Sequence, residues 1–156
     1  MNHKIDMRKF LNTCVAIEKS IASIYRQFAA TIPEDEELQA IWIKLAKEED
    51  QHAMDISFAA RLPHEGVYQV KNLTQSRVDQ LLTITKDVLN KAKLTNLSAQ
   101  AAANITLKLE QEFLDVHIAA SVEFETASMQ KMFQSISKNE EEHCREIKAY
   151  CDKIKQ

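Results

Sequence analysis

Two short runs of this 156-residue chain carry the residue types of a metal site: Glu49-Asp50-Gln51-His52 and Glu140-Glu141-Glu142-His143. Glu-x-x-His sets a carboxylate and an imidazole three residues apart on one face of a helix, where both can reach the same ion. Each run also follows a lone glutamate at nearly the same distance. Glu18 lies 31 residues before Glu49, and Glu110 lies 30 before Glu140. This is the ligand set of a carboxylate-bridged two-metal site inside a four-helix bundle. Buried without partners, even one ionised carboxylate costs several kcal/mol. Two divalent ions would cancel the charge of the four carboxylates. Imidazole suits iron and oxygen ligands favour hard ions such as iron and manganese, so two iron ions are expected, with manganese or a mixed pair as the alternative. An iron pair can cycle between diferrous and diferric, which matches two-electron reduction of peroxide or O2.

The elements that must position these residues are helices. One Gly and two Pro in 156 residues leave helix propensity high almost throughout, so the chain reads as all-α. The first helix is expected from about Asp6 to Ala30, with Leu11, Cys14, Ile21, Tyr25 and Phe28 as its apolar stripe and Glu18 within it. Thr31-Ile32-Pro33 stops it, and Glu34, Asp35, Glu36 and Glu37 suit the positive end of the next helix. The second runs to about Arg61; Leu38, Ile41, Leu45, Glu49, His52, Ile56 and Ala59 share its buried stripe, while Glu48 and Asp50 read as solvated surface charges. At about 1.5 Å per residue the chain travels roughly 20 Å out from Glu18 and roughly 21 Å back to Glu49, which brings the two level in an antiparallel hairpin. Residues 62–97 are expected to form a long connection: a loop from Leu62 to about Thr74, then a shorter helix from Ser76 to Lys91, capped by Ser76 with Asp79. The second helix pair, 98–155, carries Ala103, Leu107, Glu110, Leu114, His117 and Ser121, then Met129, Phe133, Ile136, Glu140, His143, Ile147 and Tyr150. Its turn is expected between Glu123 and Thr126. The two halves then form a degenerate repeat related by a pseudo-twofold axis, within a single domain spanning 1–156.

Composition excludes several classes. A net charge of −3 with no Lys/Arg stripe argues against nucleic acid as a partner. Nowhere do eighteen apolar residues run together, so no membrane span is expected. The start, MNHKIDMRKF, lacks the apolar core of a signal peptide, and a cytoplasmic location is the expectation. Cys14, Cys144 and Cys151 are odd in number and make no Cys-x-x-Cys, so they build neither a disulfide framework nor a rubredoxin-type iron centre.

The segments EKSIASIYRQFA, LAKEEDQHA, LKLEQEF and FQSISKNEEEHCREI resemble the four ligand-bearing helices of the rubrerythrin and ferritin-like di-iron family. The resemblance covers about residues 6–60 and 98–152. It implies a ferritin-like up-down four-helix bundle whose long crossover connection carries an extra helix. It also implies metal ligation by Glu18, Glu49, His52, Glu110, Glu140 and His143, with Glu49 and Glu140 bridging, and a supporting role for Tyr25 with its hydroxyl near a ligand carboxylate. His117 takes the matching place in the other half, seven residues after Glu110, where it could hydrogen-bond a ligand, shuttle protons, or simply be a satisfied core histidine. Tyr25 and His117 are thus the two candidate catalytic residues. Phe113 stands where rubrerythrins commonly have a further Glu, and the family's four-cysteine iron domain is absent. The function implied is a non-haem di-iron redox protein that reduces hydrogen peroxide, or O2, with electrons from an external donor such as a rubredoxin-like protein. Such bundles often dimerise, so a homodimer is expected. Two further readings share the ligand set: a ferroxidase that handles iron, and a non-catalytic metal-binding helical module.

Overall fold

The computed structural model describes residues 2–64, 67–124 and 126–155. Its elements run β1 (His3–Asp6), α1 (Met7–Thr31), α2 (Glu36–Arg61), β2 (Val67–Val70), α3 (Gln75–Leu94), α4 (Ala99–Glu123) and α5 (Ala127–Ile154). Among the described residues, four of the five helices open on a polar side chain that accepts a hydrogen bond from the backbone N–H three residues on. These caps are Asp6 to Lys9 at 3.0 Å, Asp35 to Leu38 at 3.0 Å, Thr74 to Arg77 at 3.0 Å and Ser98 to Ala101 at 3.1 Å. The α4–α5 corner has no side-chain cap; Phe124, buried against Phe10 and Phe133, anchors it instead.

The fold is a helical bundle. α1 packs along α2, α4 along α5, and α3 lies against α1. Cross-helix pairs set the directions. Lys44 meets Glu146 and His52 meets Asn139, so α2 and α5 run antiparallel. Tyr25 meets Glu110 and Glu18 meets His117, so α1 and α4 do the same. Among the described residues no helix is long and apolar enough to cross a membrane.

Three expectations need correction. The segment expected as a loop from Leu62 to about Thr74 contains a strand: Val67–Val70 pairs with His3–Asp6 as a two-stranded antiparallel sheet, His3 opposite Val70 and Asp6 opposite Val67. Ile5 and Val70 face inwards from it, so the pair buries apolar side chains while tying the connection to the start of α1. The connecting helix begins at Gln75 and extends to Leu94, capped by Thr74 rather than Ser76. On α4, Leu107 and Leu114 are only half-buried, and the core face runs through Ala102, Thr106, Leu109, Glu110, Phe113 and His117. Of the predicted loop and turn, Glu65, Gly66 and Glu125 lie outside the described residues.

The sole tryptophan shows how the core is specified. Trp42 is fully buried, its ring 5.2 Å from that of Phe28, and its indole N–H donates to the Thr106 hydroxyl at 3.0 Å. Thr106→Val keeps the shape but strands that donor, which costs about 1–3 kcal/mol. Urea unfolding followed by Trp42 fluorescence should show that loss; an unchanged midpoint would mean that the bond contributes nothing net.

Candidate metal centre

Every one of the six expected ligands sits on an inward helix face, and each is at most 5% exposed. Their donor atoms form two groups, each with all atoms within 4.8 Å of one another: Glu18, Glu49, His52 and Glu140 in one, Glu49, Glu110 and His143 in the other. Glu49 belongs to both, as a bridging carboxylate must. Glu140, the other expected bridge, falls in the first group alone, with Oε1 3.0 Å from the Nδ1 of His117. The rings of His52 and His143 lie nearly parallel, 6.0 Å apart.

Both imidazoles present Nδ1 to the centre. His52 Nδ1 is 3.5 Å from Glu49 and 3.8 Å from Glu18 and Glu140; His143 Nδ1 is 3.3 Å from Glu49 and 3.2 Å from Glu110. Their outer nitrogens are engaged elsewhere. His52 Nε2 donates to the side-chain carbonyl of Asn139 at 2.7 Å, and His143 Nε2 donates to the carboxylate of Glu48. A ring whose outer N–H is held by an acceptor offers the lone pair of its inner nitrogen to an ion. Glu48 is therefore no free surface charge: although its side chain is 32% exposed, it is part of the site's surroundings. Neither Glu48 nor Asn139 is a candidate from sequence, because a polar residue at a half-buried position carries no anomaly. The available signal is positional, since each stands immediately before the Glu of a Glu-x-x-His motif. Asp50, by contrast, is half-exposed and pairs with Arg26.

Tyr25 and His117 complete the wall. The Tyr25 hydroxyl donates to Glu110 Oε1 at 2.7 Å. His117 is fully buried between the rings of Phe113 and Phe133, 5.4 and 5.7 Å away, with Nε2 3.2 Å from Glu18 and Nδ1 3.0 Å from Glu140. Those two approaches are close but badly aligned for hydrogen bonds, so His117 is not a satisfied core histidine. Phe113 closes this side with an apolar face.

Whether the residues fit metal ions can be tested on the polar atoms themselves. Both oxygens of Glu18 and of Glu140, Glu49 Oε1, His52 Nδ1 and both nitrogens of His117 are buried without a hydrogen-bond partner. Buried polar atoms are rarely left so; among the described residues Gln75 Oε1 and Glu123 Oε2 are the others, while these gather around the Glu18–His52 group, with Glu49 shared with the second. A pair of cations would satisfy them; the residues fit.

The electrostatics agree. Burial would raise the Glu18 carboxyl, but the close polar neighbours Glu49, His117 and His52 outweigh it and hold it below the usual carboxylate range. Burial and then the neighbouring charge of Glu18 push Glu49 up. Burial and Glu49 push Glu110 up to about 6, and burial pushes Glu140 well up. For the imidazoles burial acts downwards and the carboxylates win: His52 rises to about 12, His143 to about 11 and His117 to about 10. Without metal, protons hold this centre together.

The cysteines stand apart from this chemistry. Cys14 is buried one turn before Glu18, and burial followed by Glu18 and Glu140 keeps its thiol protonated. Cys144, pushed up to about 12 by burial and then by nearby carboxylates, is no nucleophile either.

No model of a protein family, no curated protein and no solved structure matches this chain, so the reading of the centre rests on its own geometry.

Proposed function

We propose that the chain is a rubrerythrin-like di-iron redox protein, a ferritin-like crossover bundle that reduces hydrogen peroxide with electrons from an external donor. The observation that carries this reading is the convergence of buried carboxylate and imidazole atoms from Glu18, Glu49, His52, Glu110, Glu140 and His143 on two adjacent groups, with both oxygens of Glu18 and of Glu140, Glu49 Oε1 and His52 Nδ1 left without a hydrogen-bond partner. Iron(II) held there would supply the two electrons that, with two protons, convert hydrogen peroxide to two waters. The chain's residues do the rest. The six residues would hold the ions, and Glu49, which belongs to both groups, could follow the change in charge. Tyr25 keeps its hydroxyl proton on Glu110 Oε1, and His117 holds a proton between Glu18 and Glu140, beside the place where oxygen atoms must be protonated. Phe113 and Phe133 keep water from that imidazole. The proton of His117 makes it the stronger of the two catalytic candidates, since burial, then Glu110 and Glu49, raise the Tyr25 phenol well above its ordinary value.

The test is metal content after purification from iron-replete cells without oxygen or chelator, followed by an anaerobic peroxide titration read by absorbance. About two irons per chain, oxidised by about one peroxide, is the expected result. Two metals with no redox response would leave a non-catalytic metal-binding module. Continued uptake of iron beyond the pair, in an assembly much larger than the proposed homodimer, would make it a ferroxidase.

A further inference from the structure

The two metal positions are related by the pairing of α1–α2 with α4–α5, and their motifs correspond one to one in sequence, although Glu140 groups with the Glu18–His52 position alone. Their outer partners do not correspond. Across the bundle, Glu48 of α2 accepts from His143 of α5, while Asn139 of α5 accepts from His52 of α2. The contacts are equivalent in place: each comes from the residue just before the opposite motif's glutamate, and each is made to Nε2. One acceptor is a carboxylate and the other a neutral amide. The same inequality recurs one layer further in. The Glu110–His143 position has the neutral Tyr25 hydroxyl at its carboxylate, whereas the Glu18–His52 position has the His117 imidazole at its own.

We propose that Glu48 and Asn139 are positioning residues that make the two metal positions chemically inequivalent, Glu48 strengthening His143 as a ligand where Asn139 only orients His52. The proposal rests on the metal-centre reading. A carboxylate that accepts the outer N–H of a metal-bound imidazole places negative charge against the ring, fixes its tautomer and makes the inner nitrogen a better donor. An amide carbonyl fixes the tautomer with no added charge. Both residues are only half-buried, so isosteric exchange at either leaves the apolar core intact. Glu48→Gln therefore removes charge while keeping an acceptor, and Asn139→Asp adds charge where the amide was.

The experiment is a titration of the metal-free protein with Co2+, followed by visible absorption and calorimetry, for wild type, Glu48→Gln and Asn139→Asp. Anomalous diffraction at one equivalent of Co2+ assigns each binding step to its position. Glu48→Gln should weaken one of the two steps by roughly 10–100-fold, with the cobalt lost from the Glu110–His143 position. Asn139→Asp should tighten the other step by a comparable factor, a gain that a residue with a purely structural role would not give. Equal weakening of both steps, loss at the Glu18–His52 position, or no change in either variant would overturn the proposal. Failure of the wild type to bind Co2+ at all would overturn the metal centre and this inference together. Normal cobalt behaviour with no peroxide response of the iron form would remove only the redox function.

Discussion

Loading two Mn2+ ions is expected to raise the thermal midpoint of the chain by roughly 15–30 °C, at about 4 kcal/mol per ion for a free concentration of about 1,000 times Kd and about 2–4 °C per kcal/mol. Glu49→Gln should remove most of that rise while leaving the metal-free protein at least as stable as wild type. The two effects have one cause. Burial, followed by the charge of Glu18, disfavours the ionised Glu49 carboxylate, so an uncharged amide of the same shape relieves repulsion when no metal is present. With metal present, the same carboxylate would reach both positions, since it belongs to both groups, and its loss would weaken both. Differential scanning calorimetry with and without Mn2+ reads both signs directly. A metal-free variant that melts far below wild type would make Glu49 a structural hydrogen-bonding residue. A wild-type midpoint indifferent to Mn2+ would sink the metal centre.

The ligands were legible in the sequence because each breaks a rule. A glutamate between Cys14 and Ile21, or between Leu107 and Leu114, is conspicuous where an apolar residue is due, and matched spacings turned separate anomalies into one site. The half-buried positions of Leu107 and Leu114 show how a broad apolar face blurs the stripe without hiding the ligand. Glu48 and Asn139 obey the surface rule, so Glu48 reads as a solvated charge; only the three-dimensional pairing of the two motifs reveals that they reach across the bundle. The β1–β2 pair was hidden for a different reason. Four residues such as His3–Asp6 or Val67–Val70 are too few for alternation to stand out, and their pairing joins segments that are distant in the chain. Helix boundaries were legible where a capping side chain met a change of pattern, as at Asp35 and Ser98. Where Thr74 and Ser76 both offered a hydroxyl, local chemistry could not choose between them.

The metal-free protein should lose stability as pH rises from 6.5 to 9, and metal binding should release protons over the same range. Unfolded imidazoles titrate near 6.5, whereas in the folded, metal-free centre His52, His143 and His117 hold their protons to about 12, 11 and 10. Burial opposes those protons, but Glu18 and Glu49 at His52, Glu110 and Glu49 at His143, and Glu140 and Glu18 at His117 retain them. A raised folded value means that the stabilisation is complete below the unfolded value and drains away as pH climbs towards the folded one, at up to about 1.4 kcal/mol per pH unit for each imidazole. Glu110, lifted to about 6 by burial and Glu49, adds a loss of the same sign between the ordinary 4.5 and 6. Glu18, held low, has the opposite sign: its contribution is present above 4.5 and fails only in acid. An ion can take the Nδ1 lone pairs of His52 and His143 only after their protons leave, so apparent affinity should rise about tenfold per pH unit for each proton displaced. Thermal melts of the metal-free protein from pH 6 to 9 test the first half. Co2+ calorimetry at pH 7, in buffers that differ in heat of ionisation, tests the second, with about two protons released for two ions as the outcome expected from His52 and His143. Melts that stay flat from pH 6.5 to 9, or cobalt binding without proton release, would mean that the imidazoles stand neutral before metal arrives. The carboxylates would then have to be holding the protons themselves, with Glu49 and Glu140, both raised by burial, as the first places to look.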